Sequence, residues 1–245
     1  MKKIFILVLT FCLIFCGESF AVKKEKQITA TSWLVADGNG KIIKSVNHDE
    51  IHSIASITKL MTAMVVLDAK QNLDEKIGKF TRRQHLQLAL IKSNNRSAEI
   101  LCENYPGGMP RCVEAMNRKL KSLKMENSIV YEPTGLDKRN VSTAREITYL
   151  TKAASEYSNI VYASRRTEIK IQSKKKWFSF RNTNPMVGHY QNIVVSKTGF
   201  INESGGCITL LLDTSEGERL IVVLGSKNTH TRIPEAEFIY EIYKD

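Results

Sequence analysis

The chain has 245 residues, of which 42% are hydrophobic and 25% charged, a balance that excludes intrinsic disorder and suits one well-packed domain. A formal net charge of +11 and a pI near 9.4 call for an anionic partner or surface, nucleic acid and carboxylate-rich cell wall being the two classes. Charge alone does not choose between them.

The first element does. Residues 1–21, "MKKIFILVLTFCLIFCGESFA", have a basic start at Lys2 and Lys3, an apolar stretch from Ile4 to Cys16, and a close at Ser19-Phe20-Ala21. That is the anatomy of a signal peptide, with the small-x-small pattern of a cleavage site after Ala21. The stretch is short for a membrane span, which needs about 20 residues. A lipoprotein site at Cys16 is disfavoured by the bulk of Phe15. No second apolar run of spanning length follows, so residues 22–245 are expected to be exported as one soluble domain without a stable membrane anchor. Export disfavours a nucleic-acid partner. Two of the five cysteines leave with the signal, and Cys102, Cys112 and Cys207 remain in an oxidising compartment. None has metal-ligand spacing with any of the five scattered histidines, so a zinc site is not expected.

Next comes "TATSWLVADGNGKIIKSVN", two apolar strands about Asp37-Gly38-Asn39-Gly40, a strong hairpin signal. Ile57, Leu60, Met61, Met64 and Val65 then fall at offsets 0, 3, 4, 7 and 8, one face of an α-helix. Further helices are expected over "RRQHLQLAL", "RSAEILCENY", "RCVEAMNRKLKSL" and "TAREITYLTKAASEY", punctuated by Pro106-Gly107-Gly108 and Pro133-Thr134-Gly135. Beyond Lys170 the period changes. "NIVVSKTG", "CITLLLD" and "RLIVVLG" read as strands, the last two joined by a turn at Ser215-Glu216-Gly217, and "EAEFIYEIY" closes the chain as an amphipathic stretch. Strands bracketing a helical middle predict an α/β (α+β) layout: an antiparallel sheet covered by helices, with an inserted all-helical lobe and a site between sheet edge and lobe.

Three short motifs bear on chemistry. Ser56-x-x-Lys59 sits at the expected helix start, where backbone N–H groups are unpaired and suit an oxyanion. Lys59 shares a helix face with Ser56, and an ammonium buried among apolar neighbours becomes a base near neutral pH. The competing reading is an N-cap serine with a surface lysine. The same spacing recurs at Ser173…Lys176 inside Lys174-Lys175-Lys176, where it reads as a solvated loop. Ser93-Asn94-Asn95 is weaker: serine-x-asparagine also occurs at Ser45…Asn47 and Ser226…Asn228, and a capped turn between helices would explain it. Lys197-Thr198-Gly199 stands at a strand end, where glycine permits close backbone approach and lysine plus hydroxyl can hold a carboxylate.

Together, and in this order, the three motifs resemble the site of penicillin-binding proteins and class A β-lactamases. "PTGL" at Pro133–Leu136 and "NVSTAREIT" from Asn140 extend the resemblance to the D-alanyl-D-alanine carboxypeptidase family of serine D,D-peptidases (peptidase S11 type), over roughly Trp33 to Tyr243. "IASITKLMTAMVVLDAK", "YPGG", "FRNTN" and "KTGF" are similar to its small periplasmic endopeptidase branch, that of penicillin-binding protein seven. Two departures are visible: "QNLDEKIGKF" is shorter than the partly β segment usual there, and the chain ends soon after its last strand.

The resemblance implies a β-lactamase/transpeptidase-like fold and a periplasmic monomer acting on peptidoglycan stem peptides, with β-lactams as covalent inhibitors. Ser56 would be the nucleophile and Lys59 its base, with no metal or cofactor needed. Ser93 would relay the proton to the leaving amine, and Asn95, Lys197, Thr198, Gly199 and Phe200 would bind substrate. The backbone N–H groups of Ser56 and Phe200 would form the oxyanion hole. Phe200 favours endopeptidase over carboxypeptidase, since carboxypeptidase relatives often carry histidine there. A β-lactamase would need a glutamate-positioned water, and beyond Glu132 nothing matches that loop. A sensing or wall-binding module without turnover is the reading from another class. Cys102 and Cys112, flanking "ENYPGGMPR", are either a disulfide or two buried thiols, leaving Cys207 free on a core strand.

Overall fold

The computed structural model describes residues 28–173 and 175–245. The signal peptide expected over residues 1–21 and Lys174 of the basic run lie outside the described residues. The central sheet takes β1 (Ser32–Asp37), β2 (Ile42–Val46), β9 (Ile193–Ile201), β10 (Gly205–Thr214) and β11 (Gly217–Ser226), in the order β2-β1-β11-β10-β9 and antiparallel throughout. The expected hairpin is β1–β2, and β9 lies at the sheet's other edge.

Strand alternation sends side chains to both faces, and both are covered. Leu34, Ala36, Cys207, Leu211, Leu220, Val222 and Leu224 enter the larger core, and Trp33, Val35, Ile208, Leu210, Leu212, Ile221 and Val223 the smaller. The C-terminal helix α7 (Arg232–Tyr243) closes the smaller core with Ala236, Ile239 and Tyr240. Burial on both faces explains why "CITLLLD" and "RLIVVLG" are nearly continuous apolar runs rather than alternating ones.

The larger core lies under helices α1 (Thr58–Asp68), α2 (Arg82–Ile91), α3 (Asn95–Glu103), α4 (Gly108–Ser122), α5 (Ala144–Ala154) and α6 (Ser158–Ser164). Their starts have local causes. Thr81 and Gln84 form a capping box at α2, Asn94 caps α3 by accepting from the Ser97 N–H at 2.7 Å, and Thr143 caps α5 through the Glu146 N–H at 3.1 Å. Cys102 and Cys112 are joined by a disulfide across the α3–α4 turn, their Cα atoms 5.3 Å apart, and Cys207 is free and buried.

The sequence-based expectation differs in three places. The apolar offsets of α1 predict one buried face, yet every residue from Thr58 to Val66 is buried, because α2, α3, α4 and α5 all pack against it. Small two-residue β pairs accompany the helices. "QNLDEKIGKF" folds into a small hairpin of β4 (Lys76–Ile77) and β5 (Phe80–Thr81), and β3 (His52–Ser53) pairs with β6 (Val141–Ser142). The Ser173…Lys176 repeat is no plain loop but the tip of a hairpin, β7 (Glu168–Ser173) with β8 (Lys176–Arg181), in which Ser173 and Lys176 are register partners. The short helix α6 also went unpredicted, its seven residues giving too little periodicity to register.

Candidate active site

Ser56 lies in a single 3-10 turn, Ala55–Ile57, that runs into α1. The residue before it, Ala55, is buried and holds a left-handed backbone, φ 44°, a conformation that a non-glycine residue keeps only where the surroundings enforce it. Two glycines allow that enforcement. A Cβ on Gly199 would stand 2.9 Å from Ser56 N and 3.0 Å from Ala55 Cβ, and one on Gly135, at φ +80°, would stand 1.9 Å from the Ala55 carbonyl oxygen. Edge strand β9 and the Pro133–Leu136 loop can therefore close on the turn from two sides only because both positions lack a side chain.

Lys59 is one helical turn on, with a relative exposure of 0%. A buried ammonium needs acceptors, and it has two: Lys59 Nζ donates to Ser56 Oγ at 2.7 Å and to the Thr134 carbonyl at 2.5 Å. Burial pushes the Lys59 amine down to about 7, against the pull of Glu132 and Glu99. A neutral amine at this distance can take the Ser56 proton. The surface-lysine reading of the motif is excluded by the helix being buried all round.

The second motif follows the end of α2. Ser93 takes a left-handed conformation, φ 58°, between the last turn of α2 and the Asn94 cap of α3, and Asn95 is the first residue of α3. His85 bolts the two helices together, its ring meeting Ser97 Oγ at 3.2 Å and the Ile77 carbonyl at 3.0 Å. The bland reading of the motif is therefore half right: Asn94 caps, while Ser93 is held for another contact. That contact crosses the cleft. Lys197 Nζ, on β9 and 1% exposed, donates to Ser93 Oγ and to the Thr198 carbonyl, each at 2.8 Å. Burial, then the charges of Lys59 and Arg232, hold the Lys197 amine well below its usual range.

Thr198 Oγ1 lies 2.6 Å from Thr183 Oγ1, and the Thr183 N–H reaches the Ile91 carbonyl at 3.0 Å, which ties β9 to the end of α2. Arg232 of α7, behind the strand, donates to the Gly199 carbonyl at 2.7 Å. Phe200 is 38% exposed at the lip of the site. Beside Thr134 opens a cleft of about 560 Å³ walled by Tyr131, Pro133, Leu136 and the acids Glu99, Glu132 and Asp137.

Six segments thus meet, and the two lookalike motifs do not join them. Ser45 bonds His48 at 2.7 Å and Ser226 bonds Glu235 at 2.6 Å, both within other parts of the fold. Four contributors escape sequence reasoning: the Thr134 carbonyl, Glu132, Thr183 and Arg232. The Thr134 carbonyl and Thr183 sit in "PTGL" and "FRNTN", visible as motifs but without a role, because a backbone carbonyl or a strand tie has no residue-type signature, and Glu132, just before "PTGL", stands out in the sequence only as a candidate water-positioning acid. Arg232 carries no signal at all.

Comparison with known proteins follows the same lines. The sequence matches the family described as peptidase S11, D-alanyl-D-alanine carboxypeptidase, over residues 19–77 and 73–228. It is 39% identical over 236 residues to a D-alanyl-D-alanine endopeptidase of Pseudomonas aeruginosa and 37% identical over 236 residues to one of Escherichia coli, in each case covering 86% of this chain and 76% of the relative. The fold is similar to penicillin-binding protein D2 from Listeria monocytogenes in its ampicillin-bound form (TM-score 0.80, 26% identity, 88% of this chain and 97% of that one). It is also similar to the Streptomyces K15 DD-transpeptidase (TM-score 0.82, 22% identity, 88% and 97%).

Proposed function

The chain belongs to the peptidase S11 family of D-alanyl-D-alanine carboxypeptidases and is a serine hydrolase, and we propose that it is a D-alanyl-D-alanine endopeptidase that opens cross-links in peptidoglycan through an acyl-enzyme on Ser56. One observation carries the mechanism: a fully buried lysine amine, held near neutrality, 2.7 Å from the Ser56 hydroxyl. The naming of the relatives from Pseudomonas aeruginosa and Escherichia coli supports the choice of bond, as does Phe200 after the Lys197-Thr198-Gly199 element.

Neutral Lys59 takes the Ser56 proton as Oγ attacks the D-alanine carbonyl, whose oxygen becomes negative between the Ser56 and Phe200 N–H groups. The tetrahedral intermediate collapses with cleavage of the amide C–N bond. Ser93 passes its hydroxyl proton to the departing amine and takes in its place the one Lys59 drew from Ser56, which leaves Lys59 neutral again, with Lys197 beside Ser93 lending positive potential. The D-alanyl ester on Ser56 is then hydrolysed by water, which returns the proton to Ser56. Asn95 and Thr198 hold the substrate peptide, and the outer side of edge strand β9 offers backbone groups for it to pair with in an extended conformation. The enzyme works outside the cytoplasm, on the wall. Among the described residues no helix is long and apolar enough to cross a membrane.

The test uses purified protein and a cross-linked muropeptide dimer. Release of monomers, absent in Ser56→Ala together with covalent labelling by a fluorescent penicillin, is the expected result. Release of free D-alanine from a pentapeptide with the dimer left intact would make it a carboxypeptidase instead. Labelling without turnover of either substrate would make it a sensor.

A further inference from the structure

The loop from Tyr131 to Asp137 holds a carboxylate to which the mechanism above gives no part. Glu132 is half-buried, and its two oxygens accept four hydrogen bonds. Oε2 takes the Thr134 N–H at 2.6 Å; Oε1 takes the Gly135 N–H at 2.5 Å, the Asp137 N–H at 3.4 Å and Asn140 Nδ2 at 3.0 Å. Asn140, itself buried, braces the same loop twice more. Its Nδ2 donates to the Glu132 carbonyl at 2.9 Å, and its Oδ1 accepts from the Tyr131 N–H at 2.7 Å. From the first turn of α1, Thr58 Oγ1 lies 3.3 Å from Asn140 Nδ2, and one turn later Thr62 Oγ1 donates to the Pro133 carbonyl at 2.7 Å.

The Gly135 N–H held by Glu132 belongs to the same peptide as the Thr134 carbonyl that meets Lys59 Nζ, and the other bonds fix the loop on either side of it. A carboxylate that accepts several backbone N–H groups fixes a turn more firmly than a neutral acceptor, because charge-assisted bonds are the stronger ones. It also places a negative charge beside the amine. With both oxygens engaged by these donors, Glu132 would have to surrender them to activate a water, which tells against the β-lactamase reading.

We propose that Glu132 is a positioning residue for acyl transfer: its carboxylate holds the Thr134 carbonyl against Lys59 and keeps that amine basic enough to deprotonate Ser56. The inference rests on the reading of Lys59 as the base. The charged groups that face Lys59 are Glu132 from this loop, Glu99 from α3 and Lys197 from β9. Burial lowers the affinity of Lys59 for a proton, and Glu132 is the first of the two acids that oppose it. Loss of the Glu132 charge and loss of the Thr134 acceptor both remove support from the ammonium, so both move the titration of Lys59 the same way, to lower pH.

The experiment follows the rate of labelling by a fluorescent penicillin across the neutral range, with a thermal melt of each variant. In the wild type the rate rises with pH through about 7. In Glu132→Gln one remaining oxygen faces four donors. The acid limb is expected to fall by about one pH unit, and the plateau by about tenfold or more as the acceptor drifts. Glu132→Asp keeps the charge but withdraws it by one methylene, so the limb stays near the wild type while the plateau falls. Asp137→Asn neutralises an adjacent acid whose partner is Arg139 and should move neither.

An unmoved limb in folded Glu132→Gln, an equal shift in Asp137→Asn, or a wild-type plateau in Glu132→Asp would each overturn the proposal. Should Glu132→Gln not fold, the Glu132→Asp plateau decides alone, a fall supporting the proposal. A wild type that is not labelled at any pH sinks the reading of Ser56 and Lys59 and this inference with it. A labelled wild type with an unmoved Glu132→Gln sinks only the inference.

Discussion

Replacing Gly199 by alanine separates what the site needs from what the fold needs. Gly199 sits in β9 opposite Cys207 with no positive φ, so an alanine backbone is unstrained there. Its Cβ, however, would lie 2.9 Å from Ser56 N, 3.0 Å from Ala55 Cβ and 3.1 Å from the Ile54 carbonyl. None of these belongs to the far end of a flexible side chain. The strand is also held from behind by Arg232 on the Gly199 carbonyl, so the two segments must part by a few tenths of an ångström.

Overpacking of this kind costs about 1–3 kcal/mol, and removing a glycine from the unfolded chain returns about 0.4–1 kcal/mol. The net loss of stability should be about 1–2 kcal/mol, too small to unfold a domain of ordinary stability. Acylation should suffer more. The Ser56 N–H, one of the two proposed oxyanion donors, is 2.9 Å from the added methyl, and loss of one such donor costs about 2.7–4 kcal/mol, or 10²–10³ in rate. Gly199→Ala should therefore remain folded by thermal melt and circular dichroism while fluorescent-penicillin labelling slows about 10²-fold. Gly135→Ala, at φ +80° with its Cβ 1.9 Å from a backbone oxygen, should lose stability and labelling together. A Gly199→Ala protein that labels at the wild-type rate would refute the placement of the oxyanion hole between these segments.

Two further outcomes are expected. Alkylation in denaturant without reductant should modify Cys207 alone, and Cys102→Ser with Cys112→Ser should lower the unfolding free energy by about 2–3 kcal/mol, as the chain-entropy relation gives for a separation of 10 residues; three alkylated cysteines would rule the bridge out. The exposed hairpin tip, with Trp177 at 66% exposure beside Lys175 and Lys176, should aid wall binding: sacculus binding should weaken with salt and with Trp177→Ala, while cleavage of a small soluble dimer holds. Equal salt sensitivity of the two would refute a surface role, since screening acts chiefly on exposed charges.

The sequence by itself settled whatever depends on neighbours along the chain. Asp37-Gly38-Asn39-Gly40 makes a hairpin because its turn chemistry is local, and Thr81 and Asn94 start helices because a side-chain oxygen reaches an N–H three residues on. The spacing of Ser56 and Lys59 puts them on one helix face for the same reason. What periodicity could not tell was how many sides of α1 are covered, since Thr58, Lys59 and Thr62 read as polar positions. Their burial is tolerated because backbone carbonyls accept from them, Ala55 and Thr58 nearby and Pro133 and Thr134 from more than 70 residues away. The same holds across the cleft, where Lys197 meets Ser93 over a separation of 104 residues. The cysteine spacing allowed a bridge, but the left-handed turn at Gly107 and Gly108 and the packing of α3 on α4 bring the two Cα atoms into range. Tertiary structure brought a lysine amine within 2.7 Å of a serine hydroxyl and lowered it to about 7, because proton affinity answers to solvent exclusion and to charges that no window of sequence contains.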